Sequence, residues 1–320
     1  MKFMSLLEVK DLKTYFFTQK GPVKAADGVQ FMIRKGESFG LAGESGCGKS
    51  TTALSIMKLV PPPGQILGGK IIFEGMDITQ MNEDEMRDLR WKEISIIFQG
   101  AMNALNPVLT VGRQIADGIL AHEDVTKDEA LERAQKQLEL VGIGGERISN
   151  YQHEFSGGMR QRVMIAMALA CNPKLVIADE PVTALDVIVQ RQILSLMNEL
   201  QRKLHLSTML ITHDLSVIAD ICDTIAIMYA GKIVEYADVK TVFKHPIHPY
   251  TEALIEAYPS VIGKKKSLKS IPGSPPDLLN PPSGCRFYPR CTYARDVCHM
   301  DEPRYVEIKK GHSVACHLHH

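Results

Sequence analysis

The sequence predicts an α/β fold with a small cysteine-rich segment at its carboxyl end, and three observations carry this prediction. Short apolar runs such as 175–179 (LVIAD) alternate with amphipathic stretches of helical period. A Gly-rich turn directly follows the apolar run 38–42 and opens a helical pattern at Lys49. Beyond about Tyr258 the composition becomes rich in Lys and Pro, and four of the seven cysteines lie after this change.

The charge balance and the hydropathy pattern argue against two classes of protein. The 37 basic and 37 acidic residues of the 320-residue chain cancel, so the overall positive charge of a general nucleic-acid binder is missing and we expect no nucleic-acid partner. No run of about 18 uninterrupted apolar residues occurs, and the first residues carry charges where a signal peptide would be apolar. We therefore expect a cytosolic chain that depends on other subunits for any membrane path.

Taken in order, the predicted elements build a main domain over 1–255 and an extension over 256–320. They are strands between 6 and 42, a helix at 49–59, strands at 69–73 and 94–98, helices between about 110 and 170, a strand at 175–179, a helix at 187–204 and a strand at 208–213. The last part of the chain, 284–320, is too short to bury a core of its own. We expect it to need a bound metal or docking on the main domain.

Residues 43–51 (GESGCGKST) match the P-loop pattern between a predicted strand and a predicted helix. Glycine lets the backbone wrap a phosphate chain with its N–H groups, and the helix N-terminus adds positive potential. Lys49 is expected to bridge the β- and γ-phosphates, Ser50 to bind Mg²⁺ and Thr51 to donate to phosphate. The other expected contacts are Gly43, Ser45, Gly46, Cys47 and Gly48. The alternative is an ordinary Gly-rich turn before a helix.

The Cys47 thiol within this loop leaves two interpretations open. The potential at a helix N-terminus favours a reactive thiolate, whose alkylation would block ATP hydrolysis. The other interpretation is an inert small residue.

An acidic pair, Asp179 and Glu180, ends the apolar run 175–179. Carboxylates that follow a strand lie at the edge of the sheet, where Asp179 is expected to hold Mg²⁺ through water. Glu180 is expected to polarise the attacking water as a general base. The alternative is that the pair only caps the following helix.

A second anion site is predicted at 155–159 (FSGGM), where Ser156, Gly157 and Gly158 precede a helical pattern. A single nucleotide has only one γ-phosphate. A second phosphate-binding motif about 110 residues away is therefore expected to close over a nucleotide held by another subunit.

The ordered motifs GESGCGKST, Gln99, FSGGM, LVIADE, TALD at 183–186 and ITHD at 211–214 resemble those of an ABC ATPase cassette over roughly residues 5–255. The resemblance implies a RecA-like core, an N-terminal antiparallel β subdomain and a helical subdomain at about 100–172. It also implies ATP and Mg²⁺ as ligands.

Further site residues are implied by the same resemblance. Phe16 would stack on adenine, with Tyr15 as the alternative and a core aromatic as the non-functional interpretation. Gln99 would contact Mg²⁺ and the water, His213 would hold the γ-phosphate, and Asp186 would cross the dimer interface. The chain departs from the family pattern at three positions, which are Phe155, Met159 and Thr183.

The segments 245–254 (HPIHPYTEAL) and 271–291 are similar to the C-terminal extension of dipeptide and oligopeptide importer ATPases. The resemblance implies a sibling ATPase in a heterodimer, two transmembrane permease subunits and an extracytoplasmic substrate-binding protein, at the cytoplasmic face of a bacterial membrane. Relatives of this branch also move nickel complexes. The alternatives are a soluble ABC protein acting on ribosomes or DNA, which usually carries two cassettes or long heptad runs, and a regulatory cassette without turnover, which the intact Lys49, Asp179, Glu180 and His213 oppose.

Four cysteines crowd the extension at Cys285, Cys291, Cys298 and Cys316, with the spacing C-x5-C-x6-C-x17-C. Structural zinc sites commonly use more closely spaced cysteine pairs, because all ligands converge on one ion, whereas the four thiolate ligands of an iron–sulfur cluster bind different corners of a larger group. The resemblance implies a structural [4Fe-4S] cluster, since members of this branch carry one. Zn²⁺, with help from His299, His312 or His317, and free thiols are the alternatives.

Overall fold

A computed structural model describes residues 5–100, 104–257 and 271–319 of the chain. The chain divides into two compact units, one formed by Met1–Gln80 with Ile211–His320 and the other by Met81–Leu210. The extension expected at 256–320 thus belongs to the same unit as the amino-terminal segment. Within the described ranges, no helix combines the length and the apolar character that a membrane span requires.

The described elements alternate between strands and helices through most of the chain. The strands are β1 (Ser5–Thr18), β2 (Gly21–Arg34), β3 (Ser38–Ala42), β4 (Gly64–Phe73), β5 (Met76–Asp77), β6 (Ile94–Ile97), β7 (Leu175–Asp179), β8 (Ser207–Thr212), β9 (Thr224–Tyr229), β10 (Lys232–Asp238), β11 (Tyr305–Lys309) and β12 (His312–Ala315). The helices are α1 (Lys49–Ile56), α2 (Glu83–Leu89), α3 (Val111–His122), α4 (Lys127–Leu140), α5 (Gly157–Leu169), α6 (Val187–Leu204), α7 (Leu215–Ile221), α8 (Val239–Lys244), α9 (Pro249–Glu256) and α10 (Asp296–Met300).

In the first unit, an antiparallel sheet of four strands has the order β2-β1-β4-β5. Leu7, Val9 and Leu12 of β1 are buried in the core, and an irregularity in the strand register lies between Val9 and Leu12. The implied N-terminal antiparallel subdomain is therefore present. Its two long strands were visible in the sequence only as short segments, because bulges interrupt the register of β1 with β2.

The same unit contains the strands that carry the P-loop and receive the extension. The buried strand β3 pairs in parallel with β9, and β9 pairs antiparallel with β10. From the extension, β12 pairs with β10 and β11 pairs with β12. The expectation that the extension docks on the main domain is confirmed by this strand pairing.

In the second unit, β6 and β7 pair in parallel, and α3, α4 and α5 pack together around a core that includes Ile115, Ala134 and Leu138. Hydroxyl side chains cap the three helices, since Thr110, Thr126 and Ser156 each accept a hydrogen bond from a backbone N–H of the first turn. These helices lie within the helical subdomain expected at about 100–172.

Candidate functional site

The turn between β3 and α1 requires glycine at two positions. Gly43 has a φ of 153° and Gly48 a φ of 108°. A Cβ atom at Gly43 would lie 2.1 Å from the carbonyl oxygen of Met228, and one at Gly48 would lie 1.9 Å from that of Ala25. Any side chain at either position would collide with the main chain. The loop is thus built to turn tightly and to present its N–H groups ahead of α1.

Lys49 is the first residue of α1 and is buried. Its Nζ donates to the carbonyl oxygens of Gly43 at 2.8 Å and Glu44 at 2.9 Å. The lysine therefore folds back over the loop with its ammonium group inside the turn. Ser50 and Thr51 follow in the first turn of the helix and are only partly buried, as residues that contact phosphate and Mg²⁺ need to be.

The Cys47 side chain is buried, with 4% of its surface exposed. Burial raises the pKa of this thiol, although the Lys49 ammonium opposes that shift. Of the two interpretations left open by the sequence, the burial of Cys47 and its raised pKa favour the inert small residue over the reactive thiolate. The cost of placing a charge in a buried position opposes activation by the helix N-terminus.

The structure distinguishes Phe16 from Tyr15 by the face of β1 on which each lies. Thr14 bonds the Ser55 hydroxyl of α1 at 2.8 Å, and residues two apart on a strand share a face, so Phe16 lies on the face toward α1. The Tyr15 hydroxyl instead donates to Asp27 at 2.6 Å. This placement favours Phe16 as the aromatic residue beside the P-loop helix.

Within the second unit, Glu180 directly follows β7 and its carboxylate accepts hydrogen bonds from Gln99 and Thr183. Gln99 Nε2 donates to Glu180 Oε2 at 2.8 Å, and Thr183 Oγ1 donates to the same oxygen at 3.0 Å. The neighbouring Asp179 is the buried last residue of the strand. Thr183, which replaces the serine usual in the family, thus still supplies a hydroxyl that donates to Glu180, the expected general base.

Ser156, Gly157 and Gly158 form the start of α5, as expected for an anion site at a helix N-terminus. The Ser156 hydroxyl accepts a hydrogen bond from the Met159 N–H at 3.4 Å. Sequence reasoning missed Arg147, which contacts both residues that depart from the family signature. Its guanidinium lies 4.3 Å from the centroid of the Phe155 ring and its Nη1 lies 3.4 Å from the Met159 sulfur.

Asp186 and His213 each lie just before a helix and on the surface of their own unit. Asp186 accepts hydrogen bonds from the N–H groups of Ile188 and Val189 at the start of α6. Beside it, Val187 and Ile188 are each 72% exposed, which is unusual for adjacent aliphatic residues. His213 is exposed in the turn that follows β8, and the helix-capping role falls to its neighbour Asp214.

The four cysteines of the extension line one small cavity. Burial raises the pKa of Cys285 to about 11, and the nearby Cys298 and Cys316 raise it as well. Burial also raises the pKa values of Cys291 and Cys316. Among the described residues, no group of three or more His, Cys, Asp and Glu side chains is arranged to hold a single metal ion.

Two of the histidines considered for a zinc site have other partners. His312 Nε2 lies 2.8 Å from Glu235 Oε1, and His317 Nε2 lies 2.8 Å from the carbonyl oxygen of Asp301. The His299 ring packs against Tyr288, with 4.9 Å between the ring centroids. The described structure therefore gives the zinc alternative no support.

Comparison with known families matches two segments of the chain. Residues 26–183 match the family described as ABC transporter, and residues 234–298 match the oligopeptide/dipeptide transporter C-terminal region. The second match covers the boundary between the cassette and the extension.

Curated relatives extend the similarity over nearly the whole chain. The oligopeptide transport ATP-binding protein AppD of Bacillus subtilis is 50% identical, with 98% of this chain and 97% of the relative covered. The oligopeptide transport ATP-binding protein OppD of Escherichia coli is 46% identical, with 98% and 93% covered. The dipeptide transport ATP-binding protein DppD of Bacillus subtilis is 47% identical, with 98% and 94% covered.

Solved structures resemble the cassette. A dimeric ATP-binding cassette in a post-hydrolysis state bound to ADP and Pi has a TM-score of 0.65 at 25% identity, with 73% of this chain and 98% of that chain covered. The cbiO1 protein of Clostridium perfringens, part of an ABC transporter complex, has a TM-score of 0.66 at 27% identity, with 75% and 91% covered.

Proposed function

Because the chain belongs to the ATP-binding subunits of oligopeptide and dipeptide ABC transporters, we propose a specific role for each residue of its nucleotide site. Membership makes the chain an ATP-hydrolysing subunit of a peptide importer that works with membrane permease components. The alternative of an ABC protein acting on ribosomes or DNA is set aside, since the near-complete matches are to transport subunits.

ATP binding is assigned to the P-loop, and the observation that carries this is the buried Lys49 inside a turn that only glycine permits at Gly43 and Gly48. Within the loop 43–48, the N–H groups other than that of Glu44 would donate to the phosphate oxygens, with Lys49 on the β- and γ-phosphates and Thr51 as a further donor. Phe16 would stack on adenine. Mg²⁺ would be held by Ser50 and Gln99, and by Asp179 through water, and would neutralise charge on the phosphates.

Hydrolysis is assigned to Glu180. Its carboxylate would accept a proton from a water molecule while the water oxygen attacks the γ-phosphorus and the bond to the β–γ bridging oxygen breaks, releasing ADP and phosphate. Gln99 and Thr183 support this assignment because their hydrogen bonds orient the carboxylate. His213 would donate to the γ-phosphate, and its exposed position leaves it accessible to ligand.

We assign the second anion site, Ser156, Gly157 and Gly158, to an ATP molecule held by a sibling ATPase, so that each nucleotide lies between two subunits. The start of α6 would lie in the same interface, since Asp186 precedes the two exposed residues Val187 and Ile188. The complete importer would add two permease subunits and an extracytoplasmic substrate-binding protein, with the ATPases at the cytoplasmic face of a bacterial membrane. Its cargo would be dipeptides or oligopeptides.

The four cysteines are assigned to a [4Fe-4S] cluster that holds the extension in shape. Four thiols line one cavity, with Cys298 and Cys316 buried and Cys285 and Cys291 partly buried. They fit a group that takes thiolates and supplies compensating positive charge. When bound, the cluster would supply a crosslink between Cys285, Cys291, Cys298 and Cys316, in a segment with few apolar residues.

The substitution Glu180→Gln tests the nucleotide site. It should abolish phosphate release while ATP binding persists, because the amide cannot accept the proton, and ATP-dependent association with the sibling subunit should increase. Phosphate release and size-exclusion chromatography with and without ATP measure the two effects. Lys49→Ala is the companion variant, and its turnover should fall more than about tenfold. Undiminished ATPase activity in Lys49→Ala, or absence of any ATP-dependent association, would contradict the proposal.

A further inference from the structure

We propose that Arg290 in the extension is a positioning residue for ATP binding, which it controls through Glu44 of the P-loop. The inference deepens the proposed function and rests on the assignment of 43–51 as the ATP site. It gives the extension a role in nucleotide affinity in addition to its strand pairing with β10.

The contact between Arg290 and Glu44 is bidentate. Arg290 Nη1 lies 2.7 Å from Glu44 Oε2, and Nη2 lies 2.9 Å from Oε1. The arginine side chain is 4% exposed and the glutamate side chain 24% exposed. Two parallel charge-assisted hydrogen bonds with little solvent around them fix both the charge and the direction of the carboxylate. The guanidinium is charged at neutral pH in any case, as for any arginine.

Arg290 is itself held in place by other residues of the same unit. Its Nε donates to the carbonyl oxygen of Pro272 at 2.7 Å, and its Nη1 lies 3.2 Å from the Tyr229 hydroxyl. Phe287 packs edge-on against the Tyr229 ring, with 5.2 Å between the centroids. The guanidinium is thus a fixed point on the extension and the sheet.

The main chain of Glu44 in the P-loop is held by partners other than Arg290. Its N–H donates to the buried Tyr250 hydroxyl of α9 at 3.0 Å, and its carbonyl oxygen accepts the Lys49 ammonium at 2.9 Å. Side chain, N–H and carbonyl of this residue therefore each have a partner. The main-chain partners of Glu44 remain when its side chain is changed, so the side chain acts on ATP through its charge and not through a shift of the loop.

The charge of Glu44 gives the pair a direct consequence for ATP. A carboxylate inside a phosphate-binding loop repels the triphosphate unless a cation compensates it, and Arg290 is that cation. Removal of Arg290 leaves the carboxylate uncompensated. Removal of the carboxylate leaves a positive charge near the loop. The two substitutions should therefore act on ATP affinity in opposite directions, which a purely structural contact would not do.

The test uses the full chain with its sibling subunit and measures phosphate release over a range of MgATP concentrations. Arg290→Met should raise the KM for ATP about tenfold with kcat within about twofold, because the lost contact acts equally in the ground and transition states. The KM of Arg290→Lys should lie between those of wild type and Arg290→Met, since the lysine ammonium keeps the positive charge but cannot make the bidentate pair of hydrogen bonds. Glu44→Gln should not raise KM, and Glu44→Gln combined with Arg290→Met should return KM to within about threefold of wild type.

Arg286→Met is the matched control. Arg286 is as buried as Arg290 and lies in the same segment, but it pairs with Asp27 and the Ala230 carbonyl. The substitution Arg286→Met should lower the midpoint of thermal unfolding without raising the KM for ATP.

Any one of three results would overturn the proposal. They are an unchanged KM in Arg290→Met, an equal rise of KM in Arg286→Met, and a KM of the double variant as high as that of Arg290→Met. If Arg290→Met does not fold, a raised KM in Glu44→Gln overturns it. Lys49→Ala, measured alongside, separates failure of the ATP-site assignment from failure of the role of Arg290. Full activity in Lys49→Ala refutes the ATP site itself.

Discussion

The carboxylate of Glu180 and the ammonium of Lys49 are each oriented by neighbouring groups of their own unit. Gln99 and Thr183 donate to the carboxylate, and the carbonyl oxygens of the P-loop accept from the ammonium. Groups held in this way lose little freedom when they engage a ligand. The sequence identified the charged groups because each belongs to a short motif. It did not identify the arrangement of their partners, since Gln99 lies 81 residues from Glu180.

At this scale, Thr183→Ala is expected to lower kcat for ATP hydrolysis about threefold to tenfold while KM stays unchanged. The substitution removes the hydroxyl that donates to Glu180 beside Gln99, and no ATP contact is assigned to the threonine. Steady-state phosphate release at saturating and limiting MgATP measures both constants. Thr183→Ser, which keeps the hydroxyl, is the control and should retain wild-type kcat. A wild-type kcat in Thr183→Ala would show that the threonine hydroxyl does not contribute to orienting Glu180.

Among the elements, those with strong period and clear ends were the most predictable. The helix predicted at 187–204 is α6 (Val187–Leu204), and the strand predicted at 94–98 is β6 (Ile94–Ile97). The helix predicted at 49–59 ends earlier, at Ile56, because Lys58 adopts a positive φ of 49°. The hairpin β11–β12 was not predicted, since it has few apolar positions and Ile308 among them stays exposed, while Val314 of β12 is buried opposite Glu235 of β10.

The N-terminus of α5 supports a second prediction. Arg147 packs on Phe155 and Met159 and donates to the Glu154 carbonyl at 2.9 Å, so it holds the turn that presents Ser156. Arg147→Met should lower the free energy of unfolding by roughly 1–2 kcal/mol, from the lost cation–π contact and hydrogen bond. It should also weaken ATP-dependent association with the sibling subunit.

Denaturant unfolding and size-exclusion chromatography with ATP measure these effects. Arg113→Met is the control on the same unit, because that side chain is 66% exposed on α3 and should change stability by less than about 0.5 kcal/mol. Equal stability of Arg147→Met and wild type would remove the assigned role.

Across the whole molecule, three carboxylates of the main domain each pair with a basic side chain of the extension. The pairs are Asp27 with Arg286, Glu44 with Arg290, and Glu235 with His312. All three join residues far apart in the chain, up to 259 positions. The short length of the extension predicted that it would need a bound metal or docking on the main domain. The sequence could not say which residues meet, because such pairs depend on the completed fold.

The cysteines and the P-loop should accordingly respond together to one substitution. Cys291 follows Arg290 directly, so a cluster that fixes the cysteines would also fix the guanidinium that holds Glu44. Anaerobically purified protein is expected to be brown, with broad absorbance near about 400 nm. Cys298→Ser should abolish that absorbance and raise the KM for ATP in the same direction as Arg290→Met, with ATP still bound at high concentration.

Absorbance, iron content and phosphate release on the same preparations test this link. Cys222→Ser is the matched control, because Cys222 is buried in the main domain at the end of α7, and it should keep both the colour and the wild-type KM. Colourless anaerobic protein with zinc and no iron would refute the cluster and leave only the crosslink. A loss of absorbance in Cys298→Ser without any rise of KM would show instead that strand pairing and the ion pairs hold Arg290 without help from the cysteines.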